Sequence, residues 1–222
     1  MTSNKIVCNP GTVVKIELQY LPCLEYFACL LNNDYVWIDV EERYRKQTYR
    51  NRCKVLTANK TDILTVPVKS YEAHCETKDI LIDYGQDWIR RHLGCIRSAY
   101  GKSPYFEFYI HEFEAVLLKK HERLIDLNYE LLTICLRLVG ISIPIKYNLS
   151  VPFSNDNIVM DVMSLINNKK ASDSFIFYNP VQYYQTFGND FVSNLSIVDL
   201  IFNMGPEARG ILGRSMNKID AI

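Results

Sequence analysis

Hydrophobic positions near the start of the chain recur in short stretches that are typical of β-strands. Apolar residues alternate over 13–18, and a short apolar run at 35–38 ends at Asp39. Between them Pro22 opens an apolar segment, and proline is tolerated in the first turn of a helix because its missing N–H has no partner to lose there. The pattern predicts strands over 13–18 and 35–38 and a helix over 23–31.

The next part of the chain changes from strand to helix periodicity. Turn residues at 59–62 separate predicted strands near 53–56 and over 63–68, which indicates a hairpin, and a further strand is predicted over 79–82. Helices are predicted over 87–100, 105–119 and 123–139. The last of these has leucine and isoleucine at the three- and four-residue spacing of a buried face, and Gly140 follows it at the position of a helix C-cap.

Shorter elements complete the chain. The pattern predicts strands over 143–147 and 175–178, helices over 157–166 and 196–204, and a final helix that begins at Glu207, after Gly205 and Pro206. We therefore expect a mixed α/β fold in a single domain over 1–222. Its N-terminal part is rich in strands, and its middle and C-terminal parts are mainly helical.

Composition narrows the function classes. The 222 residues are 48% hydrophobic and 23% charged, as in ordinary globular proteins, and 25 basic residues balance 25 acidic ones. Zero net charge argues against general binding of nucleic acids or anionic membranes. The start of the chain lacks the apolar core of a secretory signal, no apolar run is long enough to span a bilayer, and the seven cysteines have irregular spacing. We expect a cytoplasmic protein without membrane insertion, a nucleic-acid partner or a metal site.

A local block of basic residues is the strongest chemical feature. Its six cations lie within twelve positions: Arg43, Arg45, Lys46, Arg50, Arg52 and Lys54. The block is either a solvated loop, an RNA-binding strip in which Tyr44 and Tyr49 stack on bases, or a pocket for a small phosphorylated or carboxylated ligand. In the pocket, Arg52 would make a bidentate contact and Asn51 a directional amide contact. The spacing leaves these three open, and the candidate substrate-binding residues are Lys46, Tyr49, Arg50, Asn51 and Arg52.

A second polar group lies on the apolar helix predicted over 196–204. Ser196, Asp199 and Asn203 share one face of that helix. Ser196 followed by Asp199 resembles a capping box, which is ordinary helix chemistry. Asn203 lies in the last turn, where it either caps the helix locally or points into a cleft. Asp199 and Asn203 are further candidate substrate-binding residues.

Acid/base candidates are few. His74 and His92 are the histidines that suit proton transfer, and Asp39, at the end of a predicted strand, is either a carboxylate base or, with Glu41, holds the arginines in place. No histidine pair has metal-ligand spacing, and Cys53 lacks an evident base. The sequence lacks the glycine-rich dinucleotide motif, the phosphate-loop motif and the nucleophile elbow. It therefore does not identify a cofactor.

Several of these segments together resemble the WbqC-like family of bacterial proteins. The resemblance is carried by Tyr20-Leu21-Pro22, Tyr26-Phe27, residues 46–52 and 64–68, Trp88, residues 98–100, 104–106 and 126–128, and residues 194–199 and 202–207. These segments span nearly the whole chain in the expected order. One departure concerns Ile16-Glu17-Leu18, where many relatives carry His-Gln-Pro, and another concerns residues 23–25, where relatives often carry Trp-x-Gly.

The resemblance implies a role in glycan synthesis. Members of the family occur in gene clusters for O-antigen and other surface polysaccharides, and a glycine or aminoacyl transferase acting on a sugar has been suggested for them. It implies a transferase that adds a small acyl or aminoacyl group, such as glycyl, to a nucleotide-linked sugar. The alternative is a non-catalytic protein that binds a nucleotide-sugar or a partner in the same pathway. If the missing histidine is catalytic in the family, this chain either uses His74 or His92 or lacks activity.

Overall fold

The computed structural model describes residues 11–147, 158–167, 175–188 and 190–217. Its strands are β1 (Thr12–Ile16), β2 (Tyr35–Ile38), β3 (Arg52–Leu56), β4 (Thr61–Thr65), β5 (Ile145–Tyr147) and β6 (Ile158–Asp161). Its helices are α1 (Leu24–Leu31), α2 (Trp88–Tyr100), α3 (Phe106–Leu118), α4 (Leu124–Val139), α5 (Ile197–Met204) and α6 (Ala208–Arg214). Single 3-10 turns lie at Thr77–Asp79 and Gly205–Glu207. The predicted mixed α/β fold is confirmed.

Four of the strands form a parallel sheet in the order β5-β2-β1-β6. The chain runs from β1 through α1 to β2, and β6 later pairs with the opposite side of β1, with Val13 beside both Tyr35 and Val159. Val13 and Val14 point to opposite faces, and both are fully buried. Burial on both faces is typical of parallel sheets that are covered by other elements.

The other two strands form an antiparallel hairpin, β3-β4, in which Arg52 pairs with Thr65 and Leu56 with Thr61. This is the hairpin that the turn residues predicted, with β4 ending three positions earlier than expected. Helices α2 and α5 pack on β3. The hairpin and the parallel sheet share one hydrophobic core with the helices.

Helix α4 follows its predicted pattern closely. Leu124, Leu127 and Leu131 are at most 1% exposed, and Gly140 ends the helix with φ 76° in the left-handed region. A residue with a Cβ pays a steric cost in that conformation, which explains the glycine. The α4 boundaries were predictable because the buried stripe and the glycine cap indicate the same end of the helix.

Helix α5 is tied to the Tyr20-Leu21-Pro22 segment. The Ser196 hydroxyl donates to the Leu21 carbonyl at 2.8 Å, and the Ile197 N–H donates to the Pro22 carbonyl at 2.8 Å. Leu21 adopts φ 42°, which is uncommon for a residue other than glycine. Two segments that lie 175 residues apart are thus joined through backbone carbonyls.

Three predicted elements are wrong. Residue 157 lies outside the described residues, and over 158–166 the predicted helix is replaced by the strand β6 and a turn, because a short apolar run suits either state and pairing with the open side of β1 decides it. Residues 79–82 make only isolated bridges, Leu81 to Arg123 and Ile82 to Val68. Around 175–178, the structure shows one bridge, from Tyr178 to Met216.

Candidate functional site

Polar side chains meet where β1 and β6 end. In an open parallel sheet, ligands bind outside the carboxyl ends of the strands at the point where the strand order reverses, and here that point lies between β1 and β6. We use the name edge cluster for the five residues found there, which are Glu17, Gln19, Glu42, Arg50 and Ser164. Glu17 and Gln19 follow β1 directly, and Ser164 follows β6.

Hydrogen bonds saturate the charged groups of the edge cluster. The Arg50 Nε donates to Glu42 at 2.6 Å and its NH2 group donates to the other Glu42 oxygen at 2.5 Å. The Arg50 NH1 group lies 3.8 Å from Glu17, whose carboxylate also accepts from the Ser164 N–H at 2.8 Å and from Gln19 at 3.2 Å. Arg50 is only 2% exposed. Its fork is therefore filled by carboxylates of the chain itself.

The pKa shifts agree with this closed arrangement. Burial acts to lower the pKa of Arg50, but the hydrogen bond to Glu42 and the charges of Glu17 and Glu42 outweigh it, so the pKa is raised. Burial raises the pKa of Glu42, and the hydrogen bond from Arg50 only partly offsets it. The prediction that Arg50 binds a substrate anion is therefore corrected, because its guanidinium already binds Glu42 and faces Glu17.

Arg52 has the opposite environment. It is partly buried at the start of β3, and in the described part of the chain its guanidinium makes no hydrogen bond or ion pair; its Nε is buried without a partner. The hydroxyl of Tyr44 is also buried without a partner. Burial raises the pKa of Tyr44 while the charges of Arg50 and Arg52 act against it, which places the hydroxyl within electrostatic reach of both.

A cavity of about 580 Å³ lies beside Tyr71, and its lining includes the carboxylates of Glu72, Glu76 and Asp79 but neither Tyr44 nor Arg52. Tyr71 lines it and packs edge-on against Tyr44, with ring centroids 5.1 Å apart. The exposed His74 also lines it, one residue before Cys75, whose carbonyl accepts from the Tyr44 N–H at 3.0 Å. We call Tyr44, Arg52, Tyr71 and His74 the Arg52 pocket. Of the two residues in it that the sequence singled out, His74 lines the cavity directly, and Arg52 is connected to it through Tyr44.

The remaining residues of the basic block have varied positions. Lys46 is exposed, whereas Tyr49 and Asn51 are buried. The Asn51 amide donates to the Val66 carbonyl at 3.0 Å, and its oxygen has no partner. Tyr44 and Tyr49 are each 4% exposed, so neither offers a face for stacking on a base. The RNA-binding interpretation required such stacking and is therefore not supported.

His92 is buried and bonded on both ring nitrogens. Its Nε2 lies 3.1 Å from the Thr65 carbonyl, which only accepts, so Nε2 carries the proton. Its Nδ1, 2.9 Å from the Tyr20 hydroxyl, therefore accepts from that phenol. Burial lowers the pKa of His92 to about 4. To act as a base, His92 would have to break its bond with Tyr20.

Asp39 is occupied as well. Its carboxylate lies 2.9 Å from the Lys15 ammonium on the neighbouring strand. The arginine of the block is held by Glu42, not by Asp39 or Glu41, and Glu41 instead lies 3.5 Å from Lys78. The idea that Asp39 and Glu41 hold the arginines is thus corrected.

A third group of polar side chains surrounds α5. Asp199 accepts from the Tyr183 hydroxyl at 2.6 Å and from Gln185 at 3.0 Å. Asn203 accepts from the Thr186 hydroxyl at 2.7 Å, and that hydroxyl lies 2.7 Å from the hydroxyl of Ser103. We call these six residues the α5 polar cluster. It fastens the segment 183–186 to the helix, which gives Asp199 and Asn203 a structural task.

Asp199 is fully buried and has no cation as a partner in the described residues. Burial raises its pKa to about 6, although the bonds from Tyr183 and Gln185 act to lower it. The capping box is wrong: Ser196 precedes the helix but makes no side-chain cap, because its hydroxyl donates to Leu21. Asp199 faces Tyr183 instead.

Several residues of the edge cluster and its surroundings were not predicted from the sequence. Glu17, Gln19 and Glu42 complete the edge cluster, and Asn128 on α4 donates to the Arg50 carbonyl at 2.8 Å while its own oxygen lacks a partner. A signal existed for Glu17, since an acidic residue directly after a buried parallel strand lies at the edge where ligands bind. No local signal pairs Glu42 with Arg50.

The described residues contain neither a candidate metal site nor a candidate membrane-spanning helix. No group of three or more histidine, cysteine, aspartate or glutamate side chains there is arranged to hold a metal ion. None of the helices described is long and apolar enough to cross a membrane.

Comparison with known proteins identifies the family of the chain. The model of the WbqC-like protein family matches residues 19–175 and 168–211. The chain is similar to the uncharacterized protein Rv1507c of Mycobacterium tuberculosis (strain ATCC 25618 / H37Rv), at 24% identity over 220 residues, covering 88% of this chain and 95% of that protein. No solved structure matches the chain with significance. Since the family model covers most of the sequence, the chain belongs to the WbqC-like protein family.

Proposed function

We propose that the chain is a cytoplasmic transferase of surface-polysaccharide biosynthesis, which adds a small acyl or aminoacyl group, such as glycyl, to a nucleotide-linked sugar. The observation that carries this proposal is the partly buried guanidinium of Arg52, which has no carboxylate partner among the described residues. A cation in that position favours a bound anion, and its planar fork suits phosphate or carboxylate.

The neighbours of Arg52 support a ligand with both an anionic group and hydroxyls. The Tyr44 hydroxyl is buried, has no partner within the described ranges and lies within electrostatic reach of Arg52, so it would donate to the same phosphate. The cavity of about 580 Å³ has a size common for small-molecule sites. Lys46 is exposed on the same loop and would add a second, more mobile charge.

His74 is the better-placed base. It is exposed and lines the cavity, whereas both nitrogens of His92 are used inside the protein. In the proposed step the acceptor amine or hydroxyl attacks the carbonyl carbon of an activated acyl donor. The new C–N or C–O bond forms as the bond to the leaving group breaks. His74 takes the proton of the attacking group and returns it to the leaving group, a contribution of roughly 100- to 10,000-fold.

The first test is ligand-induced stabilisation. UDP-N-acetylglucosamine, GDP-mannose and dTDP-glucose are titrated against wild type and Arg52→Ala in thermal unfolding. A ligand at about 100 times its Kd stabilises the protein by about 2.7 kcal/mol, and Arg52→Ala should lose this gain. Arg45→Ala, which removes an exposed arginine of the same block, is the control and should keep it. Equal shifts in Arg52→Ala and wild type would reject the anion site.

The second candidate function is a binding protein without catalysis. Two observations favour it: His92 is internally bonded, and Ile16-Glu17-Leu18 stand where many relatives have His-Gln-Pro. His74→Gln separates the two functions. If the nucleotide-sugar binds normally and product formation from an acyl donor falls at least about 100-fold, the transferase is supported. Binding with no product from wild type in the presence of acyl and aminoacyl donors favours the binding protein.

A further inference from the structure

A groove of about 820 Å³ runs along the first half of α2, lined by residues that belong neither to the Arg52 pocket nor to the edge and α5 clusters. Ile89, Leu93 and Leu118 supply apolar surface, and Leu118 is 61% exposed. Tyr84 closes one side, and its hydroxyl donates to the His121 carbonyl at 2.7 Å, which fixes the ring. The groove therefore offers a firm apolar wall that can hold a flat ring.

Two cations of the lining, Arg90 and Lys120, are not held by a carboxylate in the part of the chain described. Both are exposed, and neither makes an ion pair with another described residue. Arg97, a third cation of the lining, is different because it donates to Glu114. The carboxylate in the lining, Asp87, accepts from the Arg90 backbone N–H as the N-cap of α2. The groove is thus locally positive on a chain of zero net charge.

We propose that this groove binds the nucleoside-phosphate part of the activated acyl or aminoacyl donor. Arg90 and Lys120 contact the phosphates, and the base packs on Tyr84 and the leucines. The inference rests on the proposed function, because a transferase needs a second substrate. Charge complementarity selects a polyanion, the apolar wall selects one with a ring, and the volume lies in the range of small-ligand sites.

The groove also leads toward the hairpin that carries Arg52. Gln86 lines both the groove and a second cavity of about 480 Å³, and its side-chain oxygen accepts from Arg91 at 2.8 Å. Thr65 lines that second cavity and pairs with Arg52 across the hairpin. A donor that lies in the groove and extends past Gln86 reaches the hairpin that carries Arg52. The two substrates would then approach each other at the hairpin.

Calorimetric titration tests the groove. The probes are coenzyme A, AMP and inorganic phosphate, and the proteins are wild type, Arg90→Ala/Lys120→Ala, Arg52→Ala and the control Lys60→Ala at the exposed hairpin turn. We expect coenzyme A or AMP to bind about 10-fold or more weakly to the double variant, since charge-assisted contacts are lost, and normally to the other two. The probe that binds more tightly tells whether the donor is a thioester or an adenylate.

Each outcome decides the inference. It is overturned if neither coenzyme A nor AMP binds wild type, if the double variant binds them as well as wild type, or if phosphate alone binds as tightly as AMP. UDP-N-acetylglucosamine is titrated in parallel to separate the two proposals. A wild-type protein that binds AMP or coenzyme A but not UDP-N-acetylglucosamine would count against the Arg52 pocket alone. Arg90 and Lys120 are exposed, so the double variant should unfold like wild type.

Discussion

Arg50 and Arg52 lie two residues apart in one basic block, and their guanidinium groups have opposite electrostatic environments. Arg50 is 2% exposed and bonded to Glu42, with Glu17 at 3.8 Å. Arg52 is partly buried near a tyrosine, and its Nε has no partner among the residues that the structure describes. The arrangement around Arg50 stabilises the fold and leaves no donor for a ligand. The guanidinium of Arg52 keeps its donors available. A basic block is therefore not a single site, and each cation has to be assigned by its own partners.

The difference follows from what each arginine meets. Arg50 points to the carboxyl edge of the parallel sheet, where Glu17 follows β1 and where burial would make an isolated charge very costly. Two carboxylates and a serine compensate that charge. Arg52 lies on the hairpin within electrostatic reach of Tyr44, and none of the ion pairs among the described residues includes it. Ligand binding is the compensation we propose for Arg52.

The largest effect is expected from Arg50→Ala. This change leaves Glu17 and Glu42 buried without their cation, so the free energy of unfolding should fall by about 3–5 kcal/mol. Denaturant unfolding at pH 7 measures it, with Arg52→Ala as the matched control, which should lose no more than about 1 kcal/mol. Similar losses in the two variants would contradict the distinction between a closed and an open arginine.

Asp199 extends the comparison, since it is buried like Arg50 but has no cationic partner in the described part of the chain. Its pKa in the folded protein is raised from 3.8 to about 6, so the folded state holds the proton more tightly than the unfolded state. Ionisation of Asp199 therefore lowers the free energy of unfolding as pH rises from about 4 to about 6, by about 3 kcal/mol in total. Asp199→Asn imitates the protonated form and should remove this dependence.

The measurement is denaturant unfolding of wild type and Asp199→Asn between pH 4 and pH 7.5. The stability difference in favour of the asparagine variant should grow with pH and level off above about pH 7. Glu207→Gln, at an exposed position, serves as the control. A difference that stays constant over this range would show that Asp199 is ionised with an ordinary pKa.

The smallest effect is expected from Arg52→Lys. The charge remains but the two-pronged fork is lost, so the nucleotide-sugar should bind about 10-fold more weakly, which corresponds to about 1.4 kcal/mol. Stability without ligand should change little. Titration calorimetry measures the affinity, and a binding constant equal to that of wild type would mean that only the charge of Arg52 matters.

Most helices and the first strands were predictable because local signals agreed with one another. The α4 helix combines a buried leucine stripe with a left-handed glycine cap, and β2 lies where the apolar run placed it. Strand β6 was not predictable, because its apolar run fits a helix as well and only the open side of β1 selects the strand. The site was predicted in part: His74 lines the cavity beside Tyr71, and Arg52 is connected to it through Tyr44, but the pairing of Arg50 with Glu42 and Glu17 gave no local signal.

The sequence by itself determined the fold class, most of the helices, the family and the presence of an anion-binding candidate in the basic block. Those features depend on periodicity, caps and residue types, which act over a few positions along the chain. The tertiary structure alone decided which arginine is free, which histidine has an unoccupied nitrogen, and that Asp199 fastens the segment 183–186. These depend on burial and on partners far away in sequence, such as Ser164 for Arg50 and Tyr20 for His92. Local composition does not encode such distances, because the packing of the parallel sheet and the helices creates them.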